Sequence, residues 1–98
     1  MSKYLVTWET DMSRWPTDPQ ERTALRIKCV EMTKQDMKEG MIVDWGAFVG
    51  GRKGYALCEG TGLDLYNAIQ RYFPYYTFTV HEVLSIDELA EALKSLTK

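Results

Sequence analysis

The chain has 98 residues, with 14 Asp and Glu against 12 Lys and Arg, for a formal charge of −2 at pH 7. That length fits one domain spanning residues 1–98, and the slight acid excess excludes the basic footprint of a nucleic-acid or anionic-membrane binder. At 45% hydrophobic and 27% charged residues the mix is that of a globular protein; a chain this short buries only about 60–68% of its unfolded surface, so its core is thin unless a partner adds to it.

Residues 3–9, KYLVTWE, alternate and carry β-branched and aromatic side chains, which predicts a strand. The segment after it, TDMSRWPTD, is long for a connection in a small domain and carries Arg14 and Trp15. Asp18-Pro19-Gln20-Glu21 then reads as a helix start: Asp18 can accept from orphan backbone N–H groups, and Pro19 sits where its missing donor costs nothing. The helix is expected to reach Lys38–Glu39, with Gly40 in the left-handed position behind it. Leu25, Cys29, Val30, Met32 and Met37 share its apolar arc. Arg22, Arg26 and Asp36 fall on the same arc and are expected at its edge, heads extended to water.

Residues 42–49 and 55–59 form a hairpin around Gly50-Gly51-Arg52-Lys53-Gly54. This turn joins two strands and precedes no helix, so it fails as a phosphate loop. Thr61-Gly62-Leu63-Asp64 caps a second helix, with Leu65, Tyr66, Ile69, Tyr72 and Phe73 on one face and Pro74 ending it. Residues 75–84 alternate as a fourth strand. Ser85-Ile86-Asp87-Glu88 is a capping box, and Ile86, Leu89, Ala90, Leu93 and Leu96 form the stripe of a last helix.

The order β-α-β-β-α-β-α predicts an α+β fold: a ferredoxin-like βαββαβ unit with an extra C-terminal helix. Right-handed crossovers put the first and third strands in the centre of a four-stranded antiparallel sheet, helices on one face. Tyr76, Phe78 and Val80 suit the helix side, as do the small residues Ala56 and Cys58. Thr77, Thr79, His81 and Val83 then share the other face with Tyr55, Leu57 and Glu59, and strand 1 adds Leu5, Thr7 and Glu9. The second strand can be read either way, and so can the faces of Trp8 and Trp45. A mixed face of this kind should not stay bare on a monomer. Two such sheets packed together give a homodimer, or a larger homo-oligomer, whose enclosed space has apolar walls and a few polar groups.

The segments KYLVTWE, DWGAFVGGRKGYALCEG and FPYYTFTVHEVLS resemble a family of small uncharacterised bacterial and archaeal proteins with the dimeric α+β barrel fold. The hairpin and the FPY segment are more distantly similar to muconolactone isomerases, cofactor-free enzymes that shift a proton within a lactone. The resemblance covers residues 3 to about 95 and implies a dimer without a cofactor; it carries over no catalytic residue.

The candidate catalytic residues are His81, the one histidine, as a proton shuttle, and Glu59, with Glu9 as its substitute, to orient it or act as base. Each has a structural alternative: a hydrogen-bonded strand histidine, and strand-end glutamates reaching water. Tyr55, Thr77, Thr79 and Thr7 are candidate ligand-binding residues, and Trp15 is either a lid over the pocket or a staple for its loop. Cys29 and Cys58 read as buried small hydrophobes, and no ligand spacing points to a metal. No secretory leader or membrane span is legible, which predicts a cytoplasmic protein. The preferred reading is a dimer that binds a small organic molecule in or near its barrel; the alternative is a cofactor-free isomerase or monooxygenase-like enzyme acting on a small apolar acid or lactone. A haem-degrading role lacks the strand-1 asparagine and helix histidine expected of such enzymes.

Overall fold

The computed structural model describes residues 2–97; Met1 and Lys98, the two ends of the expected domain, lie outside the described residues. The chain runs β1 (Ser2–Thr10), a 3-10 turn (Met12–Arg14), α1 (Pro19–Lys38), β2 (Ile42–Ala47), β3 (Lys53–Gly60), α2 (Gly62–Gln70), β4 (Tyr76–Val83) and α3 (Ile86–Ser95). The sheet order is β2-β3-β1-β4, with every pair antiparallel. This is an α+β architecture consistent with the ferredoxin-like arrangement, with β1 and β3 central as their sequence position requires. No helix among the described residues is long and apolar enough to cross a membrane.

The caps form where the sequence places them. The Asp18 carboxylate accepts from Glu21 N at 3.0 Å. Thr61 with Asp64 and Ser85 with Glu88 close reciprocal capping boxes, and Gly40 takes a φ of +86° just beyond α1. Some boundaries differ. α2 stops at Gln70, and residues 71–75 are turns, so the helical period that would bring Phe73 to the Leu65–Ile69–Tyr72 face is lost and Phe73 points to solvent. Tyr66 also faces outward. β2 stops at Ala47, leaving Phe48 and Val49 in the turn, where Phe48 N donates to Lys53 O.

The ambiguity of β2 has a physical cause. Ile42 pairs with Cys58 and Asp44 with Leu57, so Val43 has no partner of its own and bulges. The bulge resets the alternation, and both Ile42 and Trp45 turn toward the helices although three positions separate them. Trp8 lies on the same face, stacked on Trp45 with ring centroids 5.5 Å apart and planes at 14°. Its indole rests against Gly54, where a Cβ would overlap both the Trp8 ring and the backbone oxygen of Gly46. Gly54 is thus a strand residue kept bare for the tryptophan, not part of the turn.

The core is Val6, Ile42, Ala56, Cys58 and Leu65, with Tyr4, Met41, Trp45, Ile69 and Phe78 packed around it. α2 supplies Leu65 and Ile69 to this cluster; α1 supplies nothing. The reason is the stripe that α1 turns inward.

Candidate functional site

Positions 22, 26, 29, 33 and 36 recur at intervals of four and three, which places them on one helical face. In this chain they are Arg22, Arg26, Cys29, Thr33 and Asp36. This is the face α1 turns to the sheet, so the apolar residues Val30 and Met37 flank it and stay about half exposed. A polar stripe does not close onto an aromatic sheet surface as leucines would. α1 stands off, and a cavity of about 680 Å³ lies between it and the sheet. That volume falls within the range of small-molecule sites, roughly 300–1,000 Å³.

The floor is aromatic: Trp8, Trp45, Tyr76 and Phe78 all line it. Tyr76 stands edge-on to Trp8, Trp15 and Tyr72, with centroids 5.7, 5.6 and 6.2 Å apart. Trp8 Nε1 is buried and has no hydrogen-bond partner. Val30, Lys34 and Met37 of α1 and Phe48 after β2 are among the lining residues exposed to solvent.

One end of the cavity is internally neutralised. Asp36 is only 2% exposed, which corrects the expectation that its head reaches water. Its carboxylate accepts from Arg71 Nη2 in an ion pair and from the Tyr72 hydroxyl at 3.1 Å. A buried carboxylate persists only with such partners. Tyr72 Oη also lies 3.2 Å from Thr33 Oγ1. Burial pushes the Tyr72 hydroxyl up to about 12, and Tyr76 likewise. It pushes the Cys58 thiol up to about 11 and raises Cys29 as well. These walls are therefore uncharged at neutral pH.

Arg22 and Arg26 occupy the first turns of α1, at the opposite end. Arg22 is half-buried, its Nε donating to Pro16 O at 3.1 Å, and Arg26 is exposed. Arg52 joins them from the β2–β3 turn, at a φ of +66°. Its carbonyl accepts from Thr10 N, which ties the turn to the end of β1.

Of the candidate catalytic and ligand-binding residues read from the sequence, Trp15 alone lines this cavity. It is 6% exposed, and its indole N–H donates to Tyr75 O at 2.8 Å, so it staples the loop while walling the space. The others lie on the opposite, open face of the sheet. There Thr7 pairs with Tyr55 on one side and Thr79 on the other, and Thr77 faces Glu9. Thr7, Thr77 and Thr79 line a shallow depression of about 200 Å³. Tyr55 donates to Asp44 Oδ2 at 2.8 Å, and that bond chiefly raises its own pKa. His81 is exposed opposite Leu5, whereas Glu59 pairs with Lys3 at 3.8 Å, and β1 runs between the two. The structure does not bring His81 and Glu59 together.

Among the described residues no group of three His, Cys, Asp or Glu is placed to hold a metal. No family model matches the chain, and no curated protein does. Fold and cavity together define an α+β domain with a ligand-sized space between one helix and its sheet.

Proposed function

We propose that this protein is a small-molecule-binding homodimer whose ligand lies between α1 and the sheet, with the open sheet face serving as the dimer contact. The observation that carries the binding site is the inward polar stripe of α1 over an aromatic floor. A helix that served only to cover the sheet would turn Val30 and Met37 inward and close the gap.

The pairing is supported by shape. The radius of gyration is 16.3 Å, against roughly 13 Å for a compact domain of about 100 residues. The excess comes from α3, which projects from the body with Ile86, Leu89, Leu93 and Leu96 between 43% and 78% exposed. Leu5 and Leu57 sit partly exposed on the open face. Both surfaces need cover that one chain does not provide. The resemblance to dimeric α+β barrel proteins points the same way.

The test is an amide and indole NMR titration with a set of small aromatic compounds, joined to sedimentation equilibrium. Binding should move the indole signals of Trp8, Trp45 and Trp15, and the protein should sediment as a dimer at micromolar concentration. Shifts confined to Thr7, Thr77, Thr79 and His81 would move the site to the open face, and a stable monomer would end the pairing.

A further inference from the structure

The charges around the cavity oppose those of the chain. Arg22, Arg26, Lys34 and Arg52 line it against one carboxylate, Asp36, in a protein whose net charge is −2. Asp36 is already held by Arg71 and Tyr72. Lys34 reaches Glu31 at 3.7 Å on the outer surface of α1. Arg22, Arg26 and Arg52 have no carboxylate within 4.0 Å among the described residues.

All three residues line the cavity, Arg22 and Arg26 from the start of α1 and Arg52 from the β2–β3 turn. Arg22 is bonded to Pro16, next to Trp15, which packs on Tyr75 and Tyr76. Arg26, one turn further along α1, lines the same cavity as Tyr76. Tyr76 pairs with Thr10, whose N–H donates to the Arg52 carbonyl. Arginine suits oxyanions because its planar fork of donors matches two oxygens at once. From there the floor continues over the stacked rings of Trp8 and Trp45 toward Ile42 and Leu65. A site with cations at one end and flat indoles along its length selects both charge and shape.

We propose that the cavity takes a flat aromatic oxyanion, with its rings against Trp8 and Trp45 and its anionic head between Arg22, Arg26 and Arg52. This rests on the helix–sheet cavity being the ligand site. The far end offers no second anion site, since Asp36 would repel one. The ligand therefore enters in one orientation, acid toward the start of α1.

The experiment uses 2-naphthoate and its neutral counterpart 2-naphthalenemethanol, titrated into the 15N-labelled full chain. The Trp8 and Trp45 indole signals are the readout. Naphthoate should move them and bind at least tenfold more tightly than the alcohol, and raising salt from 20 to 300 mM should weaken only naphthoate. Arg22→Gln with Arg26→Gln should bring the two probes within threefold of each other. Lys94→Gln, which removes one charge from exposed α3, should leave the difference intact. Both side chains on α1 are at least partly exposed, so the double variant is expected to fold; its unchanged far-UV spectrum is checked first. Equal affinity for the two probes would overturn the oxyanion while leaving the cavity as a ligand site. If neither probe moves the two indoles at millimolar concentration, the cavity reading falls, and this proposal with it.

Discussion

Arg71 closes over Asp36 across 35 residues of sequence: the carboxylate is 2% exposed, while the guanidinium side chain that holds it stays 46% exposed. The pair ties the residues after α2 to the last turns of α1. Removing Arg71 leaves a buried charge with only the Tyr72 hydroxyl, whereas Asp36→Asn removes the charge and keeps one acceptor oxygen for Arg71, its amide N–H then facing the Tyr72 hydroxyl oxygen. Loss of one partner from a fully buried ion pair costs about 3–5 kcal/mol. With Arg71 half in water that figure falls to about 2 kcal/mol. Urea unfolding should therefore show Arg71→Met to be more destabilising than Asp36→Asn, with the double variant losing less than the two added together. Additive losses would mean that the two side chains act separately.

The stripe of α1 shows how far the sequence could be read. Its caps, length and end were legible because Asp18, Pro19 and Gly40 act locally. Its inward face was not, because Asp36 is stabilised by residues 35 and 36 positions downstream that no local pattern announces. The signal available was the 22–26–29–33–36 spacing itself, polar at every position but Cys29 and flanked by apolar residues. The faces of β3 were legible from small Ala56 and Cys58 alternating with Tyr55 and Leu57. Those of β2 were not, because a bulge at Val43 breaks the period on which such a reading depends. The candidate site was accordingly sought on the open face, where threonines and His81 alternate cleanly, and the larger cavity lies on the other.

Stability should fall in alkali, and the sign follows from burial. The Cys58 thiol is raised from 9.0 to about 11 and the Tyr72 hydroxyl from 10.0 to about 12, both chiefly by desolvation. Above pH 9 the unfolded chain releases the Cys58 proton while the folded chain keeps it, so unfolding becomes progressively easier. The contribution is complete below pH 9 and lost as pH rises through about 11, at about 1.4 kcal/mol per pH unit for one group. The urea midpoint should be flat from pH 7 to 8.5 and then decline. Cys58→Ala should make the decline shallower between pH 9 and 10, where Cys29 still contributes, before Tyr72 and Tyr76 begin to count. A midpoint that holds steady to pH 11 would contradict the buried placement of these groups.

Trp15 makes two separable contributions. Trp15→Phe keeps an aromatic ring beside Tyr75 and Tyr76 but removes the indole N–H from the Tyr75 carbonyl, which then accepts from Asp11 N alone, for a loss of about 1 kcal/mol. Trp15→Ala also removes the packing, for about 3–5 kcal/mol. Limited proteolysis should find residues 11–17 newly accessible in the alanine variant only. Equal protection in both variants would show that the loop is held by something other than this side chain.

The dimer proposal is tested most directly at Leu57, partly buried at the centre of the open sheet face, where it faces Leu5 on β1 and Asp44 on β2. A lysine there stays solvated on an isolated chain, so the fold is retained. In a face-to-face pair it meets its own symmetry mate, and burying the two like charges together is unfavourable by several kcal/mol. Leu57→Lys should therefore sediment as a monomer with an unchanged far-UV spectrum, and the wild type as a dimer. Leu93→Ser on α3 separates the second surface: if the stripe of α3 also lies against the partner, this variant shifts the dimer–monomer equilibrium toward monomer without touching the sheet. A dimer that survives Leu57→Lys but dissociates with Leu93→Ser would place the contact on α3 rather than on the sheet.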